Sequence, residues 1–190
     1  TDLRIPRQLL VLPNGDILVS EGRGGRAPNL TPKDFIAGVI KARGNTQVES
    51  GDRITLLRDA DGDGRYEARS IFAQDLDAPY GMAFANGNIY VSSGEELTMY
   101  DSDGNYIRSI PFSGSAYGIA IGPDGRIYVS DVNGAAVNGS TVSALDPADD
   151  YTSTPVAAIE HPAGLAFDAD GRLYVGSVTE QVISVVDIDG

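Results

Sequence analysis

Leu9-Leu10-Val11-Leu12-Pro13-Asn14-Gly15-Asp16-Ile17-Leu18-Val19-Ser20 is an apolar run, an Asn-Gly pair and a second apolar run. Asn-Gly and Asp-Gly between apolar strands are the strongest short-range hairpin signal, because a type I′ turn needs positive φ at both central residues. The phrase is written three more times: Met82-Ala83-Phe84-Ala85-Asn86-Gly87-Asn88-Ile89-Tyr90-Val91-Ser92, then Ile119 to Ser130 around Asp124-Gly125, then Leu165 to Gly176 around Asp170-Gly171. After each copy, a short alternating strand ends in Asp59, Asp101, Asp146 or Asp187, and a turn rich in Gly, Asp or Pro follows. In three copies a fourth strand follows, near residues 66–72, 106–112 and 151–159. Four antiparallel strands per unit, repeated, describe the blade of a β-propeller.

The expected fold is therefore all-β, a β-propeller of four-stranded antiparallel blades with four blades in this chain. The spacing from Asn86 to Asp124 is 38 residues and from Asp124 to Asp170 is 46, both of blade length. From Asn14 to Asn86 it is 72, so blade one carries an insert. Blade one spans about residues 6–76 with that insert at 23–50, blade two 77–113, blade three 114–159 and blade four 160–190. Thr31-Pro32-Lys33-Asp34 reads as a helix start, and Phe35, Ile36, Val39 and Ile40 recur at helical spacing, predicting a short helix over residues 32–43. Blade four stops where its outer strand should begin. Either residues 1–5 supply that strand and close a four-bladed ring, or the chain is part of a larger propeller, for example a six-bladed one. Open blade edges would favour self-assembly.

The 190 residues carry 27 acidic and 14 basic side chains, a net charge of −13. That field repels nucleic acid and anionic membranes and attracts divalent cations. No apolar run is long enough to span a bilayer. With no cysteine, disulfides, thiolate catalysis and Cys-ligated metals are excluded, and one histidine cannot build a His-rich zinc site. A secreted or periplasmic location is the expectation.

The sharpest chemical motif is Asp59-Ala60-Asp61-Gly62-Asp63-Gly64-Arg65-Tyr66-Glu67. Acids at positions 1, 3 and 5 with Gly at 6 match the start of a calcium loop of the EF-hand type, with the Arg65 carbonyl at position 7 and Glu67 at 9. Ser70 occupies position 12, where the bidentate glutamate would stand. Crowded carboxylates repel one another without a counter-ion, so Ca2+ is expected on Asp59, Asp61, Asp63, Arg65 and Glu67, in a structural role. The alternative is an acidic turn that binds nothing. His161 precedes the innermost strand of blade four, where a general base at the channel mouth would sit; a surface loop histidine is the plainer reading. Tyr80 and Tyr117 hold parallel positions, either lining that mouth or packing between blades. Glu21 and Asp131 occupy equivalent positions after the second strand, sharing a cation or polar ligand near the axis or standing as solvated acids. The basic insert residues Arg23, Arg26, Lys33, Lys41 and Arg43 are either an anion site or a solvated face.

Pro6 to Glu21, then Arg53-Ile54-Thr55-Leu56-Leu57-Arg58-Asp59-Ala60-Asp61-Gly62-Asp63-Gly64, then Pro79-Tyr80-Gly81-Met82-Ala83-Phe84 resemble the sorbosone dehydrogenase group of PQQ-dependent sugar dehydrogenases. The resemblance covers about residues 5–95. It implies a six-bladed propeller, pyrroloquinoline quinone and calcium as cofactors, and hydride removal at C1 of a sugar or aldehyde. Residues 114–190 are similar to NHL and gluconolactonase-type repeats. In the dehydrogenases a histidine segment after the second blade supplies the base, and here no histidine lies between Gly94 and Glu160. The quinone's basic partners come largely from later blades. Of the gluconolactonase-type metal set only Glu21 matches, since Tyr117 and Ala163 stand at the Asn and Asp positions; lactonase activity is not expected. Two functions follow: a PQQ-dependent dehydrogenase relative acting on a sugar or aldehyde, or a non-catalytic propeller that binds a protein or glycan partner.

Overall fold

The computed structural model describes residues 3–22, 51–112, 114–132 and 141–188. Fifteen strands form four antiparallel sheets. Sheet one is β1 (Pro6–Val11), β2 (Ile17–Glu21), β3 (Arg53–Arg58) and β4 (Ala68–Ala73). Sheet two is β5 (Met82–Ala85), β6 (Asn88–Ser93), β7 (Glu96–Asp101) and β8 (Tyr106–Pro111). Sheet three is β9 (Ser115–Ile121), β10 (Ile127–Val132), β11 (Thr141–Asp146) and β12 (Thr152–Ala158), with a 3₁₀ turn at Pro147–Asp149. Sheet four is β13 (Pro162–Phe167), β14 (Leu173–Ser177) and β15 (Val182–Val186). Strand order within each sheet follows chain order.

Each Asn-Gly or Asp-Gly phrase is the hairpin between first and second strands, with Gly15, Gly87, Gly125 and Gly171 at positive φ. The sheets stack face to face in series around their first strands, as a β-propeller does. Leu18, Ile54, Met82, Ile89 and Val91 join sheets one and two. Tyr90, Leu97, Ile110, Ile119, Ile127 and Val129 join two and three. Tyr128, Val142, Leu173 and Val175 join three and four.

A repeated serine adds polar stitching. Ser20 Oγ accepts the Gln8 N–H of its own sheet and donates to the Tyr80 carbonyl of the next. Ser92 accepts from Gly81 and donates to Tyr117, and Ser130 accepts from Gly118 and donates to Ala163. Each is fully buried, so each satisfies two backbone groups that burial would otherwise orphan. Gly81 and Gly118 lie at the same seams. A Cβ on Gly81 would collide with the Tyr117 carbonyl oxygen, and one on Gly118 would collide with that of Ala163.

Sheet four has three strands among the described residues, and residues 3–5 do not complete it. Their backbone is tied to sheet one instead: Arg4 N–H donates to the Glu21 carboxylate, and Ile5 C=O accepts from Gly22 N–H. The helix predicted over residues 32–43 and the basic insert residues lie outside the described residues.

Candidate functional site

The Asp59 loop is the turn between β3 and β4, at the outer part of sheet one. Asp59 Oδ1 accepts from Gly62 N–H (2.7 Å) and its Oδ2 from Gly64 N–H (2.9 Å). Asp61 accepts from Asp63 N–H, Asp63 from Arg65 N–H, and Glu67 from Ala60 N–H. The Gly64 N–H, working against partial desolvation and helped by Gly62, holds the Asp59 carboxyl below the usual carboxylate range. One ligand oxygen from each of Asp59, Asp61, Asp63 and Glu67 falls within 4.8 Å of all the others. Oxygens on opposite sides of Ca2+ at about 2.3–2.6 Å are about 4.6–5.2 Å apart, so the span suits that ion. Arg65 stands at the rim of this group, its Nε 4.0 Å from Asp63 and its side chain 87% exposed.

A second set of candidates lies at the opposite end of the sheets, where outer strands lead into the next inner strand. Tyr80 and Tyr117 meet there, ring centroids 5.2 Å apart and tilted by 57°. The Arg7 guanidinium sits 5.3 Å over the Tyr80 ring, a cation–π arrangement. Tyr117 is 37% exposed and Tyr80 half-buried, so the pair packs between sheets while Tyr117 stays partly open to solvent. His161 lies at the same end, exposed, with φ at 45° and Nδ1 3.8 Å from a Glu160 oxygen. A shallow cleft of about 300 Å³ nearby is lined by Asp75, Leu76, Asp77, Ser93, Glu95 and Glu96.

Glu21 and Asp131 are not brought together, because sheet two lies between their sheets. Glu21 is fully buried at the end of β2. Its carboxylate receives Arg53 Nε at 3.1 Å, the Thr55 hydroxyl and the Arg4 N–H, and Arg69 stands at 3.7 Å. Burial alone would raise its pKa; Arg53, Thr55 and Arg4 overcome that and hold it below the ordinary value. Asp131 is 3% exposed, and its Oδ1 has no hydrogen-bond partner. Desolvation pushes its pKa up to about 6, opposed only by the Ser115 N–H. Neither is the solvated loop acid of the alternative reading.

Sequence reasoning missed the serine stitches and the acidic cleft. The stitches had a signal, a serine closing three of the four repeated phrases. The cleft had none, because its acids come from two loops that meet only in the folded chain.

The family model for a domain of unknown function, DUF7133, matches residues 32–107. No curated protein matches the sequence. Among solved structures, the chain is similar to a catalytically inactive virginiamycin B lyase from Staphylococcus aureus, bound to quinupristin (TM-score 0.66, 11% identity, 100% of this chain and 55% of that one). It is similar to a gluconolactonase from Xanthomonas campestris (TM-score 0.65, 18% identity, 96% and 57%). It is also similar to the PQQ-bound aldose sugar dehydrogenase from Streptomyces coelicolor (TM-score 0.59, 17% identity, 93% and 57%). At these identities the likeness is one of fold, and the chain spans little more than half the length of each.

Proposed function

We propose that this chain is a calcium-binding β-propeller related to the quinoprotein sugar and aldehyde dehydrogenases. The observation that carries the calcium reading is the convergence of Asp59, Asp61, Asp63 and Glu67 oxygens within 4.8 Å on one turn. Hard oxygen donors at that span suit Ca2+. The ion's role is structural: it neutralises a crowded turn and pins β3 to β4. The kinship is supported by the wording of residues 5–95 and by the fold shared with the Streptomyces dehydrogenase. A secreted or periplasmic location belongs to this reading, since extracellular calcium modules work at about 10⁻⁴–10⁻³ M ion.

The cleft between Asp75, Asp77, Glu95 and Glu96 does not suit pyrroloquinoline quinone, whose carboxylates need cations. His161 is exposed, with Glu160 as its neighbour at 3.8 Å, and the dehydrogenase step is not assigned to it. The Tyr80–Tyr117 pair, with Tyr117 37% exposed, favours a second reading, a non-catalytic propeller that holds a glycan or protein partner there.

The test of calcium is the melting temperature with EGTA and with Ca2+. At about 100 times the Kd, linkage stabilises by about 2.7 kcal/mol, roughly 5–10 °C for a domain of this size. The double variant Asp61→Asn, Asp63→Asn removes the shift; a wild-type melt indifferent to Ca2+ rules the site out. Dye-linked oxidation of aldoses with added quinone and calcium tests the enzyme reading, and no turnover is expected of this chain alone.

A further inference from the structure

Asp131 closes on the start of β9, at the seam where sheet three meets sheet two. Ala116 and Ser115 pair with Asp131 and Val132, and the ladder between β9 and β10 is irregular between Val129 and Asp131. The first two residues of β9 therefore form an end beyond a bulge, where pairing is locally disrupted and opening is cheapest. Toward sheet two, Ala116 N–H donates to the Gly94 carbonyl at 3.2 Å. The Asp131 carboxyl also lies on Gly114, just before β9. A Cβ there would stand 1.9 Å from Oδ1 and 2.6 Å from Oδ2, and φ is +147°, so this acid and this backbone fit together because the residue is glycine.

We propose that Asp131 is a proton-operated latch on Gly114, Ser115 and Ala116. The neutral carboxyl stays against Gly114 and keeps the start of β9 bonded to sheet two; the carboxylate moves out to water and frees it.

The carboxyl is 3% exposed, and Oδ1 has no hydrogen-bond partner among the described residues. A buried carboxylate with an unsatisfied oxygen is costly, and the neutral acid much less so. Burial raises the pKa to about 6, with the Ser115 N–H opposing, and no charged side chain contributes. Around it, Tyr117 is the one titratable residue of β9, and β11 carries Asp146 at the end away from Asp131. β13 carries none and follows Glu160 and the exposed His161. Glu95 and Glu96 stand where β6 turns into β7. Residues 113 and 133–140 hold no charged side chain in the sequence. The folded value lies above the aspartate value of 3.8, so closure is favoured at acid pH and lost as pH rises through about 6.

The latch bears on the aromatic pair. Tyr117 follows Ala116 in the chain, and its ring leans on Tyr80, 5.2 Å away across the seam. Release of Ala116 loosens that contact, whichever functional reading holds.

The experiment is amide hydrogen exchange followed by NMR, corrected for intrinsic rates, between about pH 5 and 8 and at several low urea concentrations. The gap between 3.8 and about 6 sets a ceiling of about a hundredfold on the change in opening. Protection at Ala116 is expected to fall by about tenfold or more across that range in the wild type, and to stay level in Asp131→Asn. Its exchange should respond little to urea, because the opening exposes little surface, while the buried core amides of Leu18, Ile54 and Leu173 respond strongly. No fall at Ala116, a fall that survives Asp131→Asn, or a urea response shared with the core amides overturns the proposal. Should Asp131→Asn misfold, the wild type alone decides: the Asp131 carboxyl carbon and the Ala116 amide are expected to titrate with one midpoint, and separate midpoints refute the latch.

Discussion

Glu21 and Asp131 occupy the same place in the repeat, and the chain treats them in opposite ways. Each follows the serine that closes the second strand, and each is buried. Beside Glu21, the third strand offers Arg53 and Thr55; at the matching places beside Asp131 it offers Thr141 and Ser143. Glu21 has Arg53, Thr55 and the Arg4 N–H to offset its burial, while Asp131 has only the Ser115 N–H. Glu21 stays ionised inside the protein, while Asp131 is pushed toward its neutral form. The Asp59 turn is a third case, a largely exposed group of acids with Arg65 at its rim, which the calcium reading assigns to a metal. A repeat fixes where a side chain sits, and its neighbours on the adjoining strand fix what that side chain does.

Removing the charge at Glu21 should have the largest effect on this contrast. Glu21→Gln strands Arg53 and Arg69 beside a buried neutral group. Breaking a buried pair costs about 3–5 kcal/mol, so a melting-temperature fall of roughly 6–20 °C is expected. The Glu21 pKa is lowered on folding. Its stabilisation is therefore full above the unfolded value of about 4.3 and disappears as pH falls through the folded value. Urea melts of wild type and Glu21→Gln should converge in that acid range and diverge at pH 7.

Asp131 has the reverse sign. Its folded pKa, about 6, lies above the unfolded value, so the folded state binds the proton more tightly. The penalty is absent at low pH, grows between about pH 4 and 6, and is complete above that. The gap between an ordinary aspartate and one at about 6 corresponds to about 3 kcal/mol. Asp131→Asn should raise stability by up to about that much at pH 8 and change it little at pH 4. Equal effects at both pH values would show that ionisation is not the cause.

The stitches should give a smaller effect, of about 1–3 kcal/mol. Ser92→Ala orphans the Gly81 N–H and the Tyr117 carbonyl. Gly176→Ser, at the position with no following sheet among the described residues, should leave the stability of this chain nearly unchanged. Hydrogen exchange at Gly81 would report the difference locally.

The sheets were legible in the sequence because Asn-Gly and Asp-Gly turns are local, and a hairpin needs only its own dozen residues to be recognised. The Asp59 turn was legible for the same reason: its acids and glycines are consecutive, and the folded loop brings together carboxylates the spacing had grouped. The outer edge of blade four was not. Thr1-Asp2-Leu3-Arg4-Ile5-Pro6 has the look of an outer strand, yet Arg4 is held by a carboxylate 17 residues away, a long-range contact that no strand pattern reveals. The pairing of Glu21 with Arg53 and Arg69 was equally hidden, because the 23–50 insert separates them in sequence. Position in the repeat suggested a shared site for Glu21 and Asp131; only the third-strand neighbours could show that each is settled within its own sheet.

Isothermal titration of the metal-free chain with Ca2+ addresses the central claim most directly. Saturable binding of one ion per chain is predicted, abolished by Asp61→Asn with Asp63→Asn and unaffected by Asp131→Asn. No heat of binding at millimolar Ca2+, or binding that survives the double variant, would contradict it.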